Sequence, residues 1–163
     1  MRAAVIIAGG LVALGACSAE PKTAAPAEQA AVTPVVSGPA TAPTGPLSAV
    51  DLRRVCRAGL AAIHGQEPTA IQITGVDGDV VNAQWPAPVD GGMLKAQCRV
   101  QGDVVAWKPI GLPDPASSRW MNQAGDPVNT YALKGDVVTV TVTLSDGTKQ
   151  QSDLTVPANK EAV

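Results

Sequence analysis

Aromatic residues and histidine are scarce in this chain. Its 163 residues include no Phe, three Trp, one Tyr and one His. A core must therefore be built from Val, Leu, Ile and Ala around a few large rings. Any Ser or Cys nucleophile would need His64 as its base, and no Gly-x-Ser-x-Gly motif accompanies it. We expect a protein without enzyme activity, in which His64 ends a helix and the helix dipole favours a positive charge on its ring.

An excess of charge of either sign is also missing. The 12 basic and 14 acidic residues leave a net charge of −2, so we expect no nucleic-acid partner. The acids lie mostly beside glycines in turn-like pairs, which disfavours a pair of catalytic carboxylates. The sequence around Asp77 and Asp79 lacks the further acids and the closing Glu of a calcium loop. We therefore expect no metal and no cofactor.

The uncharged, apolar run near the start of the sequence is too short to span a membrane. It covers residues 3–16, whereas a spanning helix needs about 20. Met1 and Arg2 precede it, and small residues follow, which is the layout of a secretory signal. The run ends in the tetrapeptide Leu14-Gly15-Ala16-Cys17.

This tetrapeptide resembles the lipobox of bacterial lipoproteins. The resemblance implies that residues 1–16 are a signal peptide and that Cys17, carrying diacylglyceryl and an amide-linked acyl chain such as palmitate, begins the mature protein. Two or more acyl chains anchor a protein stably in a membrane. Ser18 at the next position favours the outer membrane, facing the periplasm. The alternative is an ordinary secretory signal that happens to contain a Cys.

Residues 18–46 have the composition of a disordered tether. They hold six Pro, eight Ala and four Thr, without apolar periodicity. With the lipidated Cys17 they form the segment 17–46, which would reach at most ~90 Å extended and roughly 30 Å as a flexible coil. Residues 47–157 suffice for one domain with a core, and we expect 158–163 to be a flexible tail.

The domain begins with an amphipathic helix. Ser48 is the expected N-cap, with Asp51 three residues on and Gly65 as the stop. One helical face carries the apolar side chains. We expect the opposite face, with Arg53, Arg54 and Arg57, to be solvated; the alternative is contact with anionic headgroups or a cell-wall polymer.

After the helix the hydrophobic period changes to two, which is typical of half-buried strands. The tetrapeptide Gly-Asp-Val-Val occurs at 78–81, 102–105 and 135–138. In each copy the Gly suits a tight hairpin, and the second Val falls on the core face of its strand. The predicted fold class is α+β, with one N-terminal helix packed on an antiparallel meander sheet of six or seven strands.

Cys56 and Cys98 are the remaining thiols, and both are predicted to face the same core. Export would place them where disulfides persist, so we expect a bridge between them. The alternative is two free buried thiols.

Residues 111–128 show no strand alternation and hold three prolines. Such long connections are often functional or disordered. Arg119, Trp120 and Met121 lie within this segment and form the candidate partner-binding site, unless Trp120 and Met121 fold back as a lid on the core. A smaller loop, residues 86–92, is expected beside it.

In general layout the chain resembles small proteobacterial lipoproteins with a proline-rich tether, a likeness that carries no site residues. We expect a membrane-anchored envelope module that binds a protein or cell-wall glycan partner, or assists assembly, without catalysis. The alternative is an inhibitor of a periplasmic hydrolase.

Overall fold

A computed structural model describes residues 45–89 and 91–161. The expected signal peptide, Cys17 and most of the tether lie outside the described residues. The described part holds one α-helix, seven strands and three short 3-10 helices. In chain order these are α1 Ala49–His64, η1 Pro68–Ala70, β1 Gln72–Asp77, β2 Val80–Pro86, β3 Met93–Gln101, β4 Val104–Ile110, η2 Pro115–Ser117, β5 Val128–Lys134, β6 Val137–Thr143, β7 Lys149–Thr155 and η3 Ala158–Lys160. No helix in these two ranges is long and apolar enough to cross a membrane.

The strands form one antiparallel sheet in the order β1 to β7, which confirms the predicted meander. Each Gly-Asp pair of the repeated tetrapeptide is a two-residue turn. Its Gly has a φ of 56° to 62°, while no non-Gly residue has a positive φ, as in type II′ hairpins. The second Val of each copy is buried at Val81, Val105 and Val138. The repeat therefore sets both the turns and the strand parity.

Helix α1 packs against the inner face of the sheet. The Ser48 side chain accepts a hydrogen bond from the Asp51 amide at 3.0 Å, and Gly65 closes the helix in the left-handed region. Six strands, β1 to β6, contact the helix. The helix approaches the sheet closely at Gly59, because a Cβ there would lie 2.8 Å from Cγ1 of Val105.

The predicted disulfide is present in this core. Cys56 and Cys98 are bonded, and both are fully buried. The bridge joins the middle of α1 to β3 across a sequence separation of 42 residues.

The sheet is nearly interrupted between β4 and β5. Only Val104 and Thr130 pair across this seam, whereas every other neighbouring pair of strands has five or more paired positions. Buried Asn129 lies at the seam, and its Nδ2 donates to the Val105 carbonyl at 3.5 Å. Its Oδ1 has no partner among the described residues. Beyond Val105, β4 is therefore free of β5 and borders the segment 111–127.

The expectation that the three arginines of α1 form a solvated face is wrong. Arg54 is 5% exposed; its Nε donates to the Val156 carbonyl at 2.7 Å and its Nη2 to the Gly135 carbonyl. Arg57 donates to the carbonyls of Pro68 and Ile71. These guanidiniums satisfy carbonyls where the chain turns or leaves the sheet, so they are not available to headgroups or a polymer.

The expectation of a flexible tail over 158–163 is also wrong for its described part. After η3, Glu161 is 3% exposed and forms an ion pair with Arg57. The Glu161 carbonyl also accepts from Arg53 at 3.3 Å. The arginines of α1 thus hold the chain after β7 against the helix, and the folded domain extends at least to Glu161.

Candidate functional site

The segment 111–127 leaves β4 and crosses the outer face of the sheet, away from α1. Its first seven residues are exposed. The Asp114 side chain caps η2 by accepting from the Ala116 amide at 3.0 Å. The Met121 amide then donates to the Trp107 carbonyl at 2.8 Å, which fixes the segment to the part of β4 that β5 does not pair with.

Arg119 and Asp126 brace the second half of the segment. The guanidinium binds both carboxylate oxygens, at 2.6 and 2.8 Å. This hydrogen bonding, followed by the Gln123 amide, lowers the pKa of Asp126 to about 2. The pair is therefore ionised at neutral pH. Arg119 is thus engaged in an internal bridge, while its side chain stays 40% exposed.

Trp120 lies over two cations of the sheet. The Arg99 guanidinium carbon is 4.2 Å from the ring centroid, and Lys108 Nζ is 5.3 Å from it. Arg99 pairs with Ala106 across β3 and β4, and both positions alternate with the inward-facing Cys98 and Trp107. Trp120 consequently covers the outer face of the sheet, and the alternative of a lid on the core is wrong.

The burial of Ala106 agrees with this placement. Ala106 is 1% exposed although it points to the outer face and is not among the residues of the inner core. The segment that carries Trp120 accounts for its burial. Trp120 and Met121 are themselves only half-buried, so part of this cover remains open to solvent.

Arg99 and Lys108 have no carboxylate partner within the described ranges. The Nε of Arg99 is buried and lacks a hydrogen bond there. Beside them, Gln97 pairs with Lys108, and its Nε2 donates to Asn82 Oδ1 at 3.2 Å. We call the group Asn82, Gln97, Arg99, Lys108 and Trp120 the Trp120 platform. It combines an aromatic ring, two uncompensated positive charges and two amides.

The sequence predicted part of this platform. The irregular segment singled out Trp120, and the period of two puts Gln97 and Arg99 on the face opposite the predicted core residue Cys98. Nothing in the local pattern indicated that Trp120 would reach β3 and β4, because that contact depends on how a 17-residue connection crosses the sheet.

His64 lies at the end of α1, as predicted, but between two tryptophans. Its ring centroid is 4.6 Å from those of Trp85 and Trp107, edge-on to the latter. Burial lowers the pKa of His64. The shift is opposite to the one expected from the helix dipole, and its cause is desolvation of the ring. The buried Nε2 has no hydrogen-bond partner in the described part of the chain.

No group of three or more His, Cys, Asp or Glu in the described residues has an arrangement that could hold a metal ion. In comparisons with known proteins, no family model, no curated protein and no solved structure matches this chain.

Proposed function

We propose that this protein is a lipid-anchored module of the bacterial envelope that binds an anionic cell-wall glycan through the Trp120 platform, without catalysis. The observation that carries the proposal is the pairing of a half-buried Trp120 with Arg99 and Lys108, neither of which has a carboxylate partner in the described residues.

The chemistry of the platform suits a charged sugar polymer. Carboxylates or phosphates of the polymer would pair with Arg99 and Lys108, since a guanidinium matches the geometry of such groups. The ring of Trp120 offers a stacking surface, and Gln97 offers an amide to hydroxyl groups. The bridge between Arg119 and Asp126 holds the segment in place before binding, which lowers the entropic cost of association.

The surroundings of the only histidine support a non-enzymatic role. His64 contacts Trp85 and Trp107, and no Ser, Thr or Cys side chain is hydrogen-bonded to its ring in the described residues. The residues of the platform are two cations, two amides and an indole, which suit the binding of anions and sugars.

The test of binding uses the chain from Ser18 and insoluble cell-wall sacculi. Trp120→Ala should weaken binding about thirtyfold, as for an interface hot spot, and Lys108→Met should weaken it less while reducing the dependence on salt. Lys149→Met removes an exposed positive charge on β7 and serves as the matched control, with unchanged binding. Equal binding by Trp120→Ala and the parent chain would exclude the platform.

Stability distinguishes loss of a binding contact from loss of the fold. Trp120 lies outside the core, so Trp120→Ala should cost about 1–2 kcal/mol from the two cation–π contacts. A cost of about 3–5 kcal/mol, as for buried aromatics, would identify Trp120 as structural and overturn the proposal.

The lipid anchor is tested separately. Cys17→Ala should release the protein to the soluble fraction or leave it unprocessed. The intact mass of the membrane-bound parent should exceed that of the unmodified chain from Cys17 by the acyl and diacylglyceryl groups. An unmodified Cys17 would refute the anchor without bearing on the platform.

A second candidate function is inhibition of a periplasmic hydrolase. It is favoured by the exposed residues 111–117, which lie between β4 and the bridge of Arg119 with Asp126. An exposed segment held at both ends is preorganised to enter a cleft of another protein. An inhibitor should capture one lysozyme- or protease-like enzyme from envelope extract and block its activity, and Leu112→Asp should abolish both effects.

A further inference from the structure

Most of the exposed large apolar side chains of the described residues lie at one end of the sheet. This is the end where β2 and β4 finish and where β3 begins. The exposed apolar residues there are Val89 at 88%, Met93 at 43%, Leu94 at 38% and Leu112 at 37%. We call this the apolar end of the domain.

A cleft of about 210 Å³ opens at the apolar end, where α1 finishes. Its walls include Trp85, Trp107, Leu94, Ile110 and Leu112, beside the ring of His64. Lys95 is also in the lining, and no carboxylate of the described residues is. Lys95 has no acidic partner within the described ranges. We call this the end cleft; it shares no residue with the Trp120 platform.

We propose that the end cleft binds a single amphiphile with a linear acyl chain and a carboxylate head group, such as a free fatty acid. The apolar walls take the chain, because burying each methylene group is favourable. Lys95, as a lining residue, takes the head group, and no acid among the described lining residues opposes an anion there.

The size of the cleft limits the chain. Its volume equals that of roughly seven water molecules at about 30 Å³ each, so it accommodates a short length of chain. Longer chains would extend over Leu112 instead of entering further. Affinity should therefore rise with chain length and then level off.

Calorimetric titration of the chain from Ser18 with hexanoate, octanoate and decanoate tests this directly. Affinity should rise about fourfold per methylene over part of the series, which corresponds to about 0.8 kcal/mol per buried methylene. Intrinsic fluorescence should change in parallel, since Trp107 and Trp85 line the site. Decanol and decyltrimethylammonium have the same chain and test the role of the head group.

Two variants with exposed side chains avoid disturbing the core. Leu112→Ser should weaken decanoate binding about tenfold through lost apolar contact. Lys95→Met should abolish the preference for decanoate over decanol, while Lys149→Met, a matched loss of an exposed charge outside the cleft, should keep it. Equal affinity for decanoate and decyltrimethylammonium, or no dependence on chain length, would overturn the proposal. Binding to anionic vesicles without saturable binding of decanoate would overturn it as well, and would identify a surface that docks on lipid bilayers.

Discussion

Replacing Arg54 with Met should destabilise the domain far more than is usual for a helix arginine. The guanidinium is 5% exposed and donates to two main-chain carbonyls, those of Val156 and Gly135, besides Asp51. Hydrogen bonds to charged groups contribute about 1.5–3 kcal/mol each, and Met leaves both carbonyls without a donor. Asp51 is partly exposed and adds little. We expect a loss of about 3–5 kcal/mol in the free energy of unfolding.

Urea denaturation and thermal melting measure this loss. For a domain of this size it corresponds to a decrease of roughly 12–20 °C in melting temperature. Arg53→Met is the matched control, because Arg53 makes a single 3.3 Å hydrogen bond to the Glu161 carbonyl; it should cost less than about 1 kcal/mol. Similar losses in the two variants, or a loss of less than 1 kcal/mol for Arg54→Met, would refute the assignment of Arg54 as the group that ties α1 to the β5–β6 turn and the chain after β7.

Three further predictions concern the core and its pH dependence. Replacing Cys56 and Cys98 together with Ala should lower the free energy of unfolding by about 4 kcal/mol, given their separation of 42 residues; a loss below 1 kcal/mol in urea denaturation would contradict this. Gly59→Ala should destabilise by about 1–2 kcal/mol, since the contact with Val105 outweighs the gain in helix propensity, and the effect should shrink or reverse in a Val105→Ala background. Burial lowers the pKa of His64 in the folded state, so the unfolded chain takes up this proton first as the pH falls. The contribution of neutral His64 to the free energy of unfolding should be fully present above pH 6.5 and should decrease as the pH falls below that value. His64→Gln should remove this decrease. An unchanged pH profile in that variant would show that His64 does not cause it.

The meander could be predicted because its information is local. Each Gly-Asp-Val-Val places a positive-φ glycine in the turn and an inward Val three residues later, so turn and parity specify the same hairpin. The disulfide followed from the same parity, since Cys98 alternates with polar neighbours on β3 and Cys56 lies on the apolar face of α1. In a meander each strand pairs with its neighbour in sequence, so turn positions and strand parity are enough to predict the strand order.

The arginines and the tail could not be predicted in the same way. A helical wheel places Arg54 and Arg57 on the polar face, and this would be correct for a helix covered on one side. The sheet contacts α1 through six strands, and the chain after β7 returns along the remaining side. Carbonyls exposed by that return need donors, and long arginine side chains reach them while their aliphatic parts pack. The prediction of a solvated arginine face failed because the helix is covered on more than one side. The hydrophobic periodicity of α1 does not indicate this second cover.

The Trp120 platform follows from the interrupted pairing of β4 with β5. Because the two strands pair only at Val104 and Thr130, the later part of β4 offers main-chain groups that β5 does not use. The segment 111–127 uses one of them through Met121, and this hydrogen bond brings Trp120 over Arg99 and Lys108. In a regular β4–β5 hairpin, β5 would donate to the Trp107 carbonyl. The Met121 amide would then not bind there, and Trp120 would not be held on the outer face. The same interruption frees the end of β4 to line the end cleft, so both proposed sites depend on the one place where the meander departs from its local rule.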